Sequence, residues 1–438
     1  MIKYKIDGGI LQKAFIDSAE ERCKVDIIIP DNVWIIGENA FSKLADKYII
    51  NSIVFPDTLL RIESYAFSGV IEDIHQLILP KNLEFIGDYA FSSGSKRPQD
   101  YGMSKLVIPD SVKVIGRGAF SGWGSLKQLL LGKMLNYIGP EAFRNCNQVE
   151  KWDGSQFNGS LLISGNRLIA VFGPSERIVI PEGIEGIEAF AFSSSYVYKN
   201  RKDAWTAPVV YGPLEVNLPS SLKSIGSYAF WNTRLRSIHI TEQVKSLGRN
   251  PIAGTPCRTL SGKYSVHGSM LIKDDKLIAS VKSNINPSLP SNISIIGAYA
   301  FYSNNIHDLS LPSTVKEIEE SAFEKCEELE NLILPDSLET IGDNAFAQCY
   351  KLSSLIIPAS VKKISAGLFK DLTSCRVIQF LGENPPKIDD SSGNDNMSYE
   401  NKVFRVPSIS IDKYQMLFPE VSKPSPIYPQ GRILALKK

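Results

Sequence analysis

Pro30-Asp31-Asn32-Val33-Trp34-Ile35-Ile36-Gly37-Glu38-Asn39-Ala40-Phe41 is the first copy of a phrase, P-x-x-[VIL]-x-x-I-G-x-x-A-F, that returns along the chain. Its Ala-Phe pair ends again at Phe67, Phe91, Phe120, Phe143, Phe192, Phe230, Phe301, Phe323 and Phe346, and two degenerate copies end at Ile252 and Phe369, twelve in all. The tightest spacings between opening residues are 22 to 24, which sets the unit. Self-similarity at this period denotes stacked supersecondary units rather than separate globular domains.

Ahead of each opening Pro sits L-x-x-L-x-[LI], as in Leu352-Ser353-Ser354-Leu355-Ile356-Ile357. Its alternation predicts a short strand with one buried face. Pro, with no N–H to donate, ends the strand. The V-x-x-I-G stretch predicts a second short extended piece. Gly fills its last slot in eight of twelve copies, with Glu63, Glu188, Glu319 and Ser365 in the others, so a positive φ is compatible there without being required. Phe occupies the A-F slot in eleven copies. A single coil cannot bury that ring, so the coils must stack, each Phe contributing about 1.5–3 kcal/mol by burial.

L-x-x-L-x-[LI]-P-x-x-V-x-x-I-G-x-x-A-F resembles the BspA-like (Treponema-type) leucine-rich repeat family over about residues 25–375. The resemblance implies a right-handed, β-rich leucine-rich repeat solenoid. It also implies a protein-binding or adhesion role, often on microbial cell surfaces, with a concave strand face toward the partner and no enzymatic activity or cofactor. Twelve coils are expected, organised as an N-terminal cap at 1–29, a solenoid at 30–375 and a C-terminal cap and tail at 376–438. A short helix is expected near Ile411–Phe418. Two doubled spacings of 49 residues hold matching inserts near 158–171 and 267–280, identical at seven of fourteen positions. Turn residues Gly165-Asn166 and Asp274-Asp275 between apolar runs predict β-hairpins. Asp7-Gly8-Gly9-Ile10-Leu11 echoes the first half of the insert.

Composition excludes several functions. The 48 Lys+Arg and 47 Asp+Glu leave a net charge of +1, without the basic excess of nucleic-acid binders. No run of 18 apolar residues spans a membrane. The first 26 residues lack the pattern of a secretory signal, although export is common in the resembled family. The six cysteines include no C-x-x-C, and the four histidines lie in no metal or nucleophile motif, so neither a metal nor catalysis is expected. Cys146, Cys326 and Cys349 share the slot three residues after the repeat Phe. They read as small buried hydrophobes, or, for Cys326 and Cys349 one coil apart, as a redox pair. The acidic residues Glu317, Glu319, Glu320 and Asp274-Asp275 lack the oxygen spacing of a calcium loop.

Two surfaces are candidates for a partner. The outward position of L-x-L carries Ile28, Val54, Ile78, Val107, Leu130 and Val179, turns polar at Asn217, His239, Ser288 and Ser310, and is apolar again at Ile333 and Ile356. β-propensity accounts for branched residues on strands; a ligand strip accounts for them too. The other candidate is the loop 193–213, with Tyr196, Tyr198, Trp205 and Tyr211 among Lys199, Arg201 and Lys202. It serves a protein or, alternatively, a glycan by stacking on sugars, unless the rings fold back as a satellite core. Tyr65, Tyr89, Tyr228 and Tyr299, each just before Ala-Phe, are expected to form a ladder shielding the coil edge. A smaller loop at 92–104 carries Lys96, Arg97 and Tyr101.

Overall fold

The structure, a computed structural model, describes residues 2–16, 24–42, 44, 48–70, 74, 76–93, 103–146, 148–173, 175–193, 213–282, 286–365, 368, 372, 374–389, 402–418 and 432–436. The chain is a β-solenoid of about fourteen turns with little helix. It divides into two compact units, Met1–Leu235 with Gln243–Gly248, and Arg236–Glu242 with Arg249–Lys438. No helix of the described residues is long and apolar enough to cross a membrane.

In the first unit the leucine strands pair in parallel, Lys24–Ile28 with Ile49–Val54, and Lys105–Val107 with Gln128–Leu130 and then Lys151–Asp153. Ile27, Ile53, Leu106 and Leu129 point into the core, while the residues on either side face out. After the strand the chain turns on its proline. The N–H of Val33 donates to the carbonyl of Pro30 at 3.1 Å, and Leu59 repeats this with Pro56 at 3.2 Å. Where Thr or Ser stands between them, its hydroxyl stitches the turn to the coil before. Thr58 Oγ1 donates to the carbonyls of Asp31 and Val33 at 2.8 and 2.9 Å, and Ser111 Oγ to those of Lys81 and Leu83, both at 2.7 Å. One hydroxyl thus supplies the inter-coil contact that a backbone N–H supplies elsewhere.

The V-x-x-I pieces form two-residue parallel strands: Ile35–Ile36, Arg61–Ile62, Phe85–Ile86, Val114–Ile115 and Tyr137–Ile138 lie in one seven-stranded sheet. Where Gly follows, it serves space and not φ. A Cβ on Gly87 would lie 2.6 Å from the backbone nitrogen of Ser64, and one on Gly226 2.4 Å from that of Ala189, with neither φ in the left-handed region. The left-handed residue comes two positions later, immediately before Ala-Phe: Asn39 (φ 56°), Tyr65 (57°), Tyr89 (53°), Glu141 (61°), Tyr228 (56°), Tyr299 (59°), Ser321 (52°) and Asn344 (51°). This conformation costs about 1 kcal/mol or more for a residue with a side chain. It turns the N–H toward the next coil, where Tyr65 donates to Asp88 O at 2.8 Å and Tyr89 to Arg117 O at 2.7 Å.

That turn aims Ala and Phe inward. Phe41, Phe67, Phe91, Phe120 and Phe143 stack face to face at centroid separations of 4.6, 5.3, 5.6 and 5.7 Å, with planes within 12° of parallel. In the second unit Phe301, Phe323 and Phe346 repeat the stack at 5.0 and 5.7 Å. Every one of these rings is essentially fully buried. The backbone follows, Phe67 N–H donating to Ala90 O and Phe91 N–H to Ala119 O, each at 2.8 Å.

Three hairpins of one design open the three runs of short strands. Ile2–Asp7 pairs with Ile10–Ile16, Leu161–Ser164 with Arg167–Val171, and Met270–Lys273 with Lys276–Ser280, each antiparallel and with one register shift at the same place. In each, the second arm then pairs in parallel with the next coil: Leu11 with Ile36, Leu168 with Ile187, and Leu277 with Ile296. Gly8-Gly9-Ile10-Leu11 therefore corresponds to Gly165-Asn166-Arg167-Leu168, the turn and second arm, and not to the first half of the insert. The inserts are hairpins as expected, but they are also coils. With the strands Lys151–Asp153 and Thr259–Gly262 ahead of them, they fill the doubled spacings with full turns, which accounts for the excess over twelve.

At the other end of the chain, the helix Ile411–Leu417 sets Tyr414 and Phe418 against Phe380 and Phe404, and Tyr414 Oη donates to Gly382 O at 2.9 Å. Lys402 is buried here, its Nζ donating to Leu372 O at 2.6 Å, and burial holds its pKa below the ordinary lysine value.

Truncation of a mid-stack ring tests the ladder. Phe91→Ala is expected to cost about 3–5 kcal/mol in urea denaturation. Gly87→Ala is expected to destabilise by about 1–3 kcal/mol through overpacking although its φ suits any residue. A neutral Gly87→Ala variant would show that the coils do not touch there.

Candidate functional site

The geometry of the leucine strands divides each side chain by parity. In Lys105-Leu106-Val107 only Leu106 is buried. The outward column of the first unit is apolar for five successive coils, Ile28, Val54, Ile78, Val107 and Leu130, with exposure from 45% at Val107 to 66% at Ile78 and Leu130 half-buried. Strand register sets Ile28 beside Val54 and Val107 beside Leu130, and Ile78 stands between these two pairs in repeat order. The next member is Asp153, paired with Leu130, on a coil that the repeat phrase does not mark. The strip therefore ends on a carboxylate. Further along the chain, Val179 pairs with Asn217.

A polar and charged column runs parallel, two residues upstream on the same face: Asp26, Ser52, Gln76, Lys105, Gln128 and Lys151. Hydrogen bonds from Ser52 and Asn51, at 2.6 and 2.8 Å, hold the Asp26 carboxyl below the usual carboxylate range. On the opposite flank, in the proline turns, Asp57 is met by Lys81 at 2.9 Å and Asp110 by Lys133 at 3.6 Å. Lys105 and Lys151 meet no carboxylate among the described residues, and so leave a positive edge along the later half of the strip.

In the second unit the same backbone position reads differently. His239 pairs with Ser261, their Nδ1 and Oγ atoms 3.0 Å apart, and Ser310 pairs with Ile333. The position thus accepts His, Ser and Asn as well as apolar residues in unaltered strands.

A second apolar set was not legible in the repeat phrase. Register aligns Ile10, Ile35, Arg61, Phe85, Val114 and Tyr137 on the short strands. Here several rings are engaged within the molecule. The Arg61 guanidinium lies 3.9 Å over Phe85, Tyr65 stacks on Tyr89 at 5.2 Å, and Trp34 covers Gly9 while its Nε1 donates to Gly8 O at 3.0 Å. The tyrosine ladder is present between Tyr65 and Tyr89. Tyr196, Tyr198, Trp205 and Tyr211 lie outside the described residues, as do Lys96, Arg97 and Tyr101.

A family model for the BspA type leucine rich repeat region matches residues 13–149, 99–200, 214–266 and 279–395, in six copies. The chain belongs to the BspA-type leucine-rich repeat family. Among solved structures this BspA-type chain is similar to a leucine-rich cell surface protein of Faecalibacterium prausnitzii (20% identity, 94% of this chain and 97% of that one, TM-score 0.47). A leucine-rich repeat protein of Bacteroides ovatus is also similar (19%, 100% and 98%, TM-score 0.37), as is the pneumococcal vaccine antigen PcpA (17%, 100% and 97%, TM-score 0.39). No curated protein matches it.

The cysteines settle into the repeat as small buried groups. Cys146, Cys326 and Cys349 donate their thiols to the carbonyls of Phe120, Phe301 and Phe323 at 3.4, 3.1 and 3.2 Å. All five described cysteines are buried and unbridged, so Cys326 and Cys349 do not form the redox pair; Cys23 lies outside the described residues. Burial pushes the thiols of Cys146 and Cys349 up to about 12 and those of Cys257 and Cys375 up to about 11. Such thiols resist alkylation. In the native chain at pH 8 these five are expected to stay unmodified by a thiol reagent and to react once denaturant is added; fast native labelling of Cys326 or Cys349 would contradict their burial. Because the unfolded chain ionises these thiols from about pH 9 while the folded chain holds them protonated, stability is expected to be intact below pH 9 and to fall as pH rises toward 12. Urea midpoints at pH 7.5 and pH 10 check the sign.

Proposed function

We propose that this chain is a non-enzymatic protein-binding scaffold, and that Val54, Ile78, Val107 and Leu130, continued by Ile28, form its ligand strip. The observation that supports this is the five-coil run of exposed apolar side chains at a position where the same strands elsewhere carry His239, Ser261 and Ser310. Contiguous apolar surface on a folded protein marks interaction sites. The solenoid suits the role, because the inward residues alone hold the coils and the outward ones are free to vary. By family analogy the partner is a host or matrix protein met at the cell surface, in adhesion.

Placing two carboxylates in the strip, Ile78→Glu with Val107→Glu, is expected to abolish capture of partner proteins from host-cell and matrix extracts while the melting midpoint and circular dichroism remain those of the parent. Deletion of residues 193–213 is expected to leave the capture in place. Capture that survives the double substitution, or that disappears with the loop alone, would move the ligand surface off the strip.

A further inference from the structure

Resting on that strip, we infer that its occupant is an amphipathic α-helix of a partner protein, laid across the strands along the column, with carboxylates on the flank that faces Lys105 and Lys151. The pitch of the surface argues for it. Adjacent coils present one apolar side chain every ~4.8 Å, and an α-helix returns one side chain per turn every ~5.4 Å. At each paired step, Ile28 to Val54 and Val107 to Leu130, the two drift apart by only about 0.6 Å, and four coils at that spacing accumulate about 2–3 Å, within reach of leucine side chains. An extended segment repeats on one face every ~6.7 Å and loses phase by the second coil. A polyproline helix repeats every ~9.3 Å and touches alternate coils only, which leaves no reason for Val54 and Val107 to be apolar as well.

Charge selects the flank. Asp57 and Asp110 on one side of the strip are neutralised by Lys81 and Lys133. On the other side Lys105 and Lys151 stand on the same strand face as the strip without a carboxylate partner among the described residues. An acidic edge on the helix satisfies both and fixes its lateral position.

The test uses the full chain and three labelled peptides of about 20 residues, some 30 Å long when helical. One has a leucine every turn and glutamates beside the stripe, the second replaces those glutamates by lysines, and the third is proline-rich with equal apolar content. By fluorescence anisotropy the Glu-flanked helix is expected to bind at least ~10-fold more tightly than the Lys-flanked one at low salt, with the gap narrowing at high salt. Lys105→Glu with Lys151→Glu is expected to reverse that preference, and Ile78→Glu with Val107→Glu to abolish binding of both helices. Equal or tighter binding of the proline-rich peptide, no binding of either helix, or an unchanged preference after charge reversal would overturn the helix. Should partner capture depend on Ile78 and Val107 while no helix binds, the strip stands and the helix falls; should neither depend on them, both fall.

Discussion

No coil of this chain can cover its own phenylalanine. Each ring presents two faces, and the rings one step above and below supply apolar walls of the right width. Phe67 lies 5.3 Å from Phe91 and 4.6 Å from Phe41, planes nearly parallel. The remaining features of the repeat keep that contact at one strand spacing. Glycine at position 87 lets the backbones of adjacent coils close to a distance that a methyl group would block. The left-handed residue before Ala-Phe swings the ring inward, and its own N–H, at Tyr65 and Tyr89, is spent on the neighbouring coil. Local strain is thereby offset by an interface repeated from coil to coil.

The parity of the leucine strand separates the residues that hold the coils from those that face out. Leu106 and Leu129 are committed to the interior, whereas Val107 and Leu130, one residue on, are committed to nothing inside. A column of this kind can change character along the chain without disturbing the coils, as the contrast between Ile78 in one unit and His239 in the other illustrates. The Lys105 and Lys151 positions, on the same face, have equal freedom.

How much of this was legible depended on which residues the physics constrains tightly. The inward phenylalanines and the strand-ending prolines recur because their neighbours demand them, and they revealed fold, period and strip directly. Trp152-Asp153-Gly154 and Leu260-Ser261-Gly262 build coils by the same pairing without the proline or the Ala-Phe, so those turns, and the end of the strip at Asp153, were invisible. The left-handed position was hidden for a related reason. Asn, Tyr, Glu and Ser all occupy it, because what the site requires is a backbone angle held by the next coil and not a side chain. The hydroxyl stitches of Thr58 and Ser111 were within reach, as a recurrent Ser or Thr two residues after the proline. The Gly slot was readable as a constraint but not as to its kind, since close approach and positive φ favour the same residue.

The three bulged hairpins also bear on how the chain assembles. Each joins its two arms through a two-residue turn, at Gly8-Gly9, Gly165-Asn166 and Asp274-Asp275, whereas joining one coil to the next closes a loop of about twenty residues and carries a greater entropic toll. The arms can therefore meet before any coil has formed, and the free side of the second arm then offers a ready-made template onto which Ile36, Ile187 or Ile296 zips. A long array built this way carries three internal seeds, so its growth need not begin at one terminus and its slowest step is set by the distance to the nearest seed rather than by the full chain.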